Sequence, residues 1–275
     1  MSDAASAGDA VSGARLQRAV LARLRLEQSM GIECVPRRHA PPAPAFQAAG
    51  TQPTAVTPAP TPPQPAAAAP VAGVDLFSPP IAAGARGADV AERWRVLEAK
   101  ALACQACGLH STRTNVVFGC GDRDARLVFV GEGPGQDEDL QGQPFVGRAG
   151  QLLNKIIAAM GLKREEVYIC NVVKCRPPEN RTPLPDEIAA CSGFLFEQIE
   201  LIAPKVVVTL GAPATKTLLN TTQGIMSIRG KWFSFRGIPL MPTYHPAFVL
   251  RQYTEQVRRA VWEDMKQVVA RLKEP

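Results

Sequence analysis

The chain has 275 residues, enough for one large domain or two small ones, and carries 31 Lys and Arg against 25 Asp and Glu, a net charge of +6. It contains no apolar run of about 18 residues and no basic-then-apolar leader, which excludes a helical membrane span and a secretory signal and makes the cytoplasm the expected compartment. In a reducing compartment, seven cysteines argue for a metal centre, catalysis or plain burial rather than a disulfide framework.

Charge and proline divide the chain. Residues 1–92 are neutral overall, with seven basic and seven acidic side chains, so the whole positive excess lies in the remainder. That excess is compatible with a phosphate-backbone partner and equally with a mildly basic surface that binds nothing. Within an N-terminal segment, 1–37, the spacing of Leu16, Val20, Leu21, Leu24 and Met30 predicts an amphipathic helix over 14–30. Such a helix docks on a larger body or takes a protein partner. Residues 38–89 are dominated by Pro and Ala, with 12 of the 25 prolines between 41 and 80. A segment of that composition buries no core and tends to polyproline II, so a disordered spacer is expected.

A folded domain is expected over 90–275. A helix over roughly 90–107 runs into Cys104 and Cys107. RLVFVGE (126–132) reads as a buried strand and ends in the turn GEGPGQDED; a helix follows near 148–160. EVYICNVVKC (166–175) is the second strand, PKVVVTLG (204–211) the third and IPLMPTYHP (238–246) the fourth, the last preceded by a hairpin-like segment. Helices are expected at roughly 185–202, 212–220 and 252–272. Strands alternating with helices predict a three-layer α/β/α sandwich on a four-stranded parallel sheet, whose ligand site lies beyond the C-terminal strand ends. Glu132, Asn171, Cys175, Gly211 and His245 fall at those ends.

Cys104-Gln-Ala-Cys107 places two thiolates close enough to share a metal, and Cys175 and Cys191 bracket a proline-rich loop and a helix start. Four thiolates suit zinc or an iron–sulfur cluster; of the other cysteines Cys34 lies outside the folded domain and Cys170 within a strand, while Cys120, in a loop between two glycines, could substitute for one of the four. The glycine turn is not a Walker motif, since no Gly-Lys-Ser/Thr follows, and Pro134 breaks any dinucleotide fingerprint. Asp137, Glu138 and Asp139 suit a helix N-terminus. Phe145, in a glycine-flanked loop, is either packing or a stacking platform for a base. Asn171 lies inside an apolar strand, where its amide needs partners and can read a carbonyl and an N–H on a pyrimidine edge. His245 precedes Pro246 at the end of the last strand.

Together the segments CQAC, VGEGPGQDED, GQPFVGRAGQLL, CNVVKCRPPENRTPLPDE with the later Cys191, VTLG and YHPAFVLR resemble the family 4 uracil-DNA glycosylases, the iron–sulfur branch of that superfamily. They span about residues 93–275 in the family's order. The resemblance implies a base-excision repair hydrolase that flips uracil out of single- or double-stranded DNA and leaves an abasic site. It implies a 4Fe–4S cluster on Cys104, Cys107, Cys175 and Cys191. It assigns stacking on uracil to Phe145, reading of the uracil edge to Asn171 and a position facing O2 to His245. Glu132, Gly133 and Pro134 would line the same pocket, with Glu138 helping to place water. Leu250 and Arg251, with Val249, are candidates for the wedge that fills the vacated stack. The expected state is a monomer acting at the nucleoid of a bacterial-type cell. Gly133 stands where another branch carries an Asp water activator, and SIRGKWFSFRG (227–237) lacks the His of a branch that cross-links to DNA. A water activator is therefore unassigned and covalent trapping is not expected. Two rival readings are an iron–sulfur electron carrier or redox protein and a non-catalytic, polymerase-associated DNA-binding module.

Overall fold

The structure, a computed structural model, describes residues 88–274. The N-terminal helix expected at 14–30 and nearly all of the Pro/Ala-rich segment lie outside the described residues. The described residues open with helix α1 (Ala88–Leu102). There follow β1 (Cys120–Gly121), β2 (Leu127–Gly131), α2 (Gln136–Gln141), α3 (Arg148–Ala159) and β3 (Tyr168–Asn171). Then come α4 (Pro185–Ile202), β4 (Val206–Leu210), α5 (Ala212–Leu219) and α6 (Ile225–Ile228). The chain closes with β5 (Phe233–Phe235), β6 (Ile238–Thr243), α7 (Pro246–Arg251) and α8 (Glu255–Lys273).

The sheet has six strands in the order β1-β3-β2-β4-β6-β5. Its middle is the expected four-stranded parallel sheet, β3-β2-β4-β6. Two short antiparallel edges flank it: β1 pairs with β3, which was not expected, and β5 forms with β6 the hairpin that the segment before the fourth strand suggested. Side-chain alternation along the strands builds a core on each face. Val128, Val130, Val207 and Leu240 pack with Trp94, Leu195 and Leu218, the face of α1, α4 and α5. Leu127, Phe129, Val208 and Met241 pack with Leu153, Ile157, Val249 and Met265, the face of α3, α7 and α8. The connection β2 to β3 carries α3, while β3 to β4, running the other way across the sheet, carries α4 on the opposite face. Right-handed crossovers require that switch of face, and a crevice opens where the direction reverses, beside the C-terminal end of β2.

Two expected helices differ. The first stops at Leu102 and does not carry Cys104 and Cys107. Arg113 donates to the carbonyls of Leu102 and Cys104, satisfying the helix end, and Cys107 takes an extended backbone before a short 3-10 turn at Gly108–Ser111. The last helix, expected at roughly 252–272, starts a few residues later as α8, capped by Thr254, whose hydroxyl accepts from the Val257 N–H at 3.3 Å. A short separate helix, α7, opened by Pro246, takes the residues before it. Among the described residues no helix is long and apolar enough to cross a membrane.

Candidate active site

A pocket of about 280 Å³ lies at the C-terminal end of the parallel strands. Its lining includes Glu132, Gly133 and Pro134 beyond β2, Glu138 on α2, Phe145, Asn171 at the end of β3, His245 beyond β6, and Arg251 on α7. Every residue singled out for uracil binding therefore converges on one cavity. Of the wedge candidates, Arg251 is exposed and lines the pocket, and Leu250 is half-buried on the same helix. Val249 is packed into the core and is not available to enter DNA.

Asn171 is 1% exposed, and its Oδ1 is the buried side-chain polar atom, among the described residues, that has no hydrogen-bond partner. An unpaired buried acceptor costs about 1–3 kcal/mol, and this one belongs to a residue lining the pocket, where a water or a ligand N–H can answer it. Gly131 makes the arrangement possible. A Cβ there would stand 2.3 Å from Asn171 Oδ1 and 2.6 Å from the Phe145 ring. Gly131→Ala should therefore push the amide and the ring apart and weaken free-uracil binding about tenfold, roughly the 1.4 kcal/mol at the low end of an overpacking cost; titration with uracil checks this.

Phe145 has φ +54°, a left-handed backbone that a bulky residue adopts only when its surroundings impose it. Glu138 is the imposing group. One carboxylate oxygen accepts from the N–H groups of Val146 and Gly147, each at 2.9 Å, and the other accepts from Gly135 at 3.1 Å. Arg164 holds the Pro144 carbonyl at 2.5 Å. Of roughly four lone-pair positions on a carboxylate, Glu138 has spent three on backbone, leaving little capacity for a water. Asp139 likewise serves structure, accepting from Thr114 and Asn115.

His245 lies at the N-terminus of α7, and its Nδ1 accepts from the Ala247 N–H at 3.1 Å. With Nδ1 an acceptor, the proton of the neutral ring sits on Nε2, which is left as a donor. Burial, reinforced by the Arg251 charge, pushes the imidazole down to about 4, so the ring is neutral at ordinary pH. The Phe145 ring lies 5.6 Å away, tilted by 35°. Glu132 moves the other way: burial raises its carboxyl above the usual range, while a bond from Thr182 and the Arg251 charge draw it back down.

Sequence reasoning missed the contribution of the proline-rich loop. Pro177, Asn180, Arg181 and Pro183 line the pocket. The loop turns on two left-handed residues, Glu179 and Asn180. It is anchored by the buried Glu187, which takes Arg181 in a two-pronged pair at 2.6 and 2.8 Å and the Leu184 N–H at 2.7 Å. Nothing in RPPENRTPLP alone marks Arg181 as a pocket residue.

Cys104, Cys107, Cys175 and Cys191 line one small cavity on the other side of β3. Among the described residues no three His, Cys, Asp or Glu side chains gather round a single-ion position. Cys175 and Cys191 are buried, and the other two are half-buried. Burial pushes the Cys191 thiol up to about 11 and Cys175 upward as well, with Cys107 adding to both. Arg113 donates to Cys175 Sγ at 3.2 Å and the Lys174 backbone N–H to Cys191 Sγ at 3.2 Å. The spare Cys170 is buried in β3, and Cys120 lies at the sheet edge against Arg164.

A parallel α/β sheet here gathers an unpaired amide, an aromatic ring and a neutral imidazole in one crevice, an arrangement with room and polarity for a flat heterocycle. The profile of the Uracil DNA glycosylase superfamily matches residues 118–266. The type-4 uracil-DNA glycosylase of Thermotoga maritima is 48% identical over 186 residues, 66% of this chain and 96% of that protein. Those of Archaeoglobus fulgidus and Sulfurisphaera tokodaii are 45% and 44% identical, over 61% and 62% of this chain and 87% and 81% of their own lengths. The chain belongs to the uracil DNA glycosylase superfamily, and within it to the type-4 uracil-DNA glycosylases.

Proposed function

We propose that the protein removes uracil from DNA by hydrolysing its N-glycosidic bond, and that Asn171, Phe145 and His245 do this as a reading amide, a stacking face and an anion-stabilising donor. The observation that carries the reading is the unpaired Oδ1 of Asn171. Uracil offers an N–H at N3 beside a carbonyl at C4, so one amide can accept from the first and donate to the second. Cytosine offers the opposite pair. Only an extrahelical base can reach a pocket at a strand end, and flipping costs a few kcal/mol, least in single strands or at mismatches.

Cleavage of the bond sends negative charge to the uracil ring and leaves cationic character on the sugar. A neutral His245 whose Nε2–H faces O2 meets the negative charge without surrendering its proton, and the DNA phosphates favour the sugar cation. The water needs a carboxylate. Gly133 supplies none, and a Cβ there would meet Val173 Cγ2 at 2.8 Å. Glu138 is occupied by backbone. Glu132 is the pocket carboxylate left for the task, and its raised pKa places it nearer the working pH of a base. The excision rate should therefore rise with pH as Glu132 loses its proton, at a pH above the ordinary 4.5. Glu132→Gln should slow single-turnover excision about tenfold and erase that limb, within the modest share expected for a general base. A retained limb would assign the water to another group.

The four cysteines fit a 4Fe–4S cluster. Four thiols line one cavity, a soft ligand set of the kind that holds such a cluster. When bound, such a cluster cross-links segments distant in sequence. None of the four sulfurs belongs to the uracil pocket, so its role here is to fix the end of β3 and the loop after Cys175. Arg251, which lines the pocket, and Leu250 on the same helix would fill the vacated stack, and the protein would work as a monomer on cytoplasmic, nucleoid DNA. The N-terminal helix would serve a protein partner.

The test is incubation with a single-uracil oligonucleotide followed by alkali. A strand break at the uracil position supports the reading, and an intact strand contradicts it. A chain lacking residues 1–87 should give the same rate, because every pocket residue lies in the described domain; a folded but inactive fragment would show that the N-terminal segment enters catalysis.

A further inference from the structure

Two cations lie outside the uracil pocket and have no carboxylate to answer them. Lys174 and Arg113 both line the cysteine cavity. Lys174 is 1% exposed, and its Nζ donates to the Asn171 carbonyl at 2.9 Å and to Gln198 Oε1 at 2.6 Å. Gln198 is oriented by donating in turn to the Phe118 carbonyl and the Tyr168 hydroxyl. Arg113 gives its guanidinium to two carbonyls and to Cys175 Sγ. Among the described residues neither cation forms an ion pair with Asp or Glu.

Burying an ammonium among neutral dipoles is strongly unfavourable, and a methionine would fill the same volume without that penalty. A lysine at this position makes physical sense if an anion shares the cavity. The cysteines provide one. Four thiolates round a doubly charged metal core leave two negative charges. Arg113 donates to Cys175 Sγ, and Lys174, lining the same cavity, gives its backbone N–H to Cys191 Sγ while its ammonium lies within Coulombic reach of that thiol. We infer that Lys174 and Arg113 are the built-in counter-cations of a dianionic thiolate–metal centre. The inference rests on the cluster reading above. It has a consequence for the pocket, because the ammonium that balances the centre also holds the main chain of Asn171.

The test compares the intact protein with K174M, R113Q and the charge-conserving R113K. Iron and zinc per chain, the rate of metal loss to a chelator and the reduction potential are measured. K174M and R113Q should lose metal about tenfold faster, the effect of roughly one charge contact. Their potentials should shift to more negative values, since removing a positive charge disfavours the added electron. R113K should stay near the parent on both counts. Parent-like metal retention and potential in both neutral variants would overturn the inference, as would an R113K defect equal to that of R113Q. Should K174M fail to fold, the Arg113 pair decides. A parent protein that holds zinc and no iron overturns the cluster reading alone, and the counter-cations are then judged on zinc release; a parent that binds no metal overturns both.

Discussion

Asn171→Asp should abolish uracil excision while leaving the protein folded. The amide offers uracil one acceptor and one donor, whereas a carboxylate offers acceptors only. The uracil C4 carbonyl would then face an oxygen in a buried site where no water can intervene. A site built around a polar pair discriminates far more strongly than one built on shape, because the mismatch leaves buried groups unpaired. The expected loss is about 10³-fold in single-turnover rate, at the lower end of what such sites achieve. The new carboxylate is buried without a partner, so the midpoint of urea unfolding should fall, and the rate is compared under conditions where the variant is still folded. Uracil excision at a parental rate by this variant would remove Asn171 from base recognition.

His245→Ala should cost about 10²- to 10³-fold in single-turnover rate, the range for removing one preorganised donor from a developing anion. Affinity for an uncleavable substrate should fall far less, because the contact strengthens mainly in the transition state. The pH dependence separates this role from that of a proton-donating imidazolium. The ring stays neutral down to about 4, so the excision rate should show no inflection near the usual 6.5. The sign for stability follows. The folded protein accepts the His245 proton less readily than the unfolded chain, so this residue's contribution is constant above 6.5 and is lost as pH falls from there towards 4. A rate rising on protonation between 6 and 7 would assign His245 to acid catalysis instead.

The sequence showed the parallel sheet clearly because each central strand is a short, continuous apolar run bounded by Gly or Pro. β1, of two residues, carries too little pattern to be seen, and β5, of three, was legible only as part of a hairpin-like segment before β6. Phe145, Asn171 and His245 were legible because each stands out against its setting, an aromatic between glycines, an amide in an apolar strand and a histidine before proline. Glu138 was legible only as pocket acid or helix-start acid, since its three backbone bonds depend on how the following loop returns. Lys174 left a signal that went unread: a lysine inside VVKC is buried at a cost that needs a reason. Arg113 and Arg181 left none, because their roles depend on partners distant along the chain or on a folded turn. The short α7 was missed because its residues follow directly on the last strand and fill fewer than two helical turns.

The central claim is that this pocket releases uracil and rejects its close relatives. The most direct measurement follows the base rather than the strand: single-turnover release of labelled base from oligonucleotides carrying uracil, thymine or cytosine at one position. One free uracil per site, with thymine and cytosine retained, is the predicted result. Strand damage without free uracil, or equal release of all three bases, would contradict it.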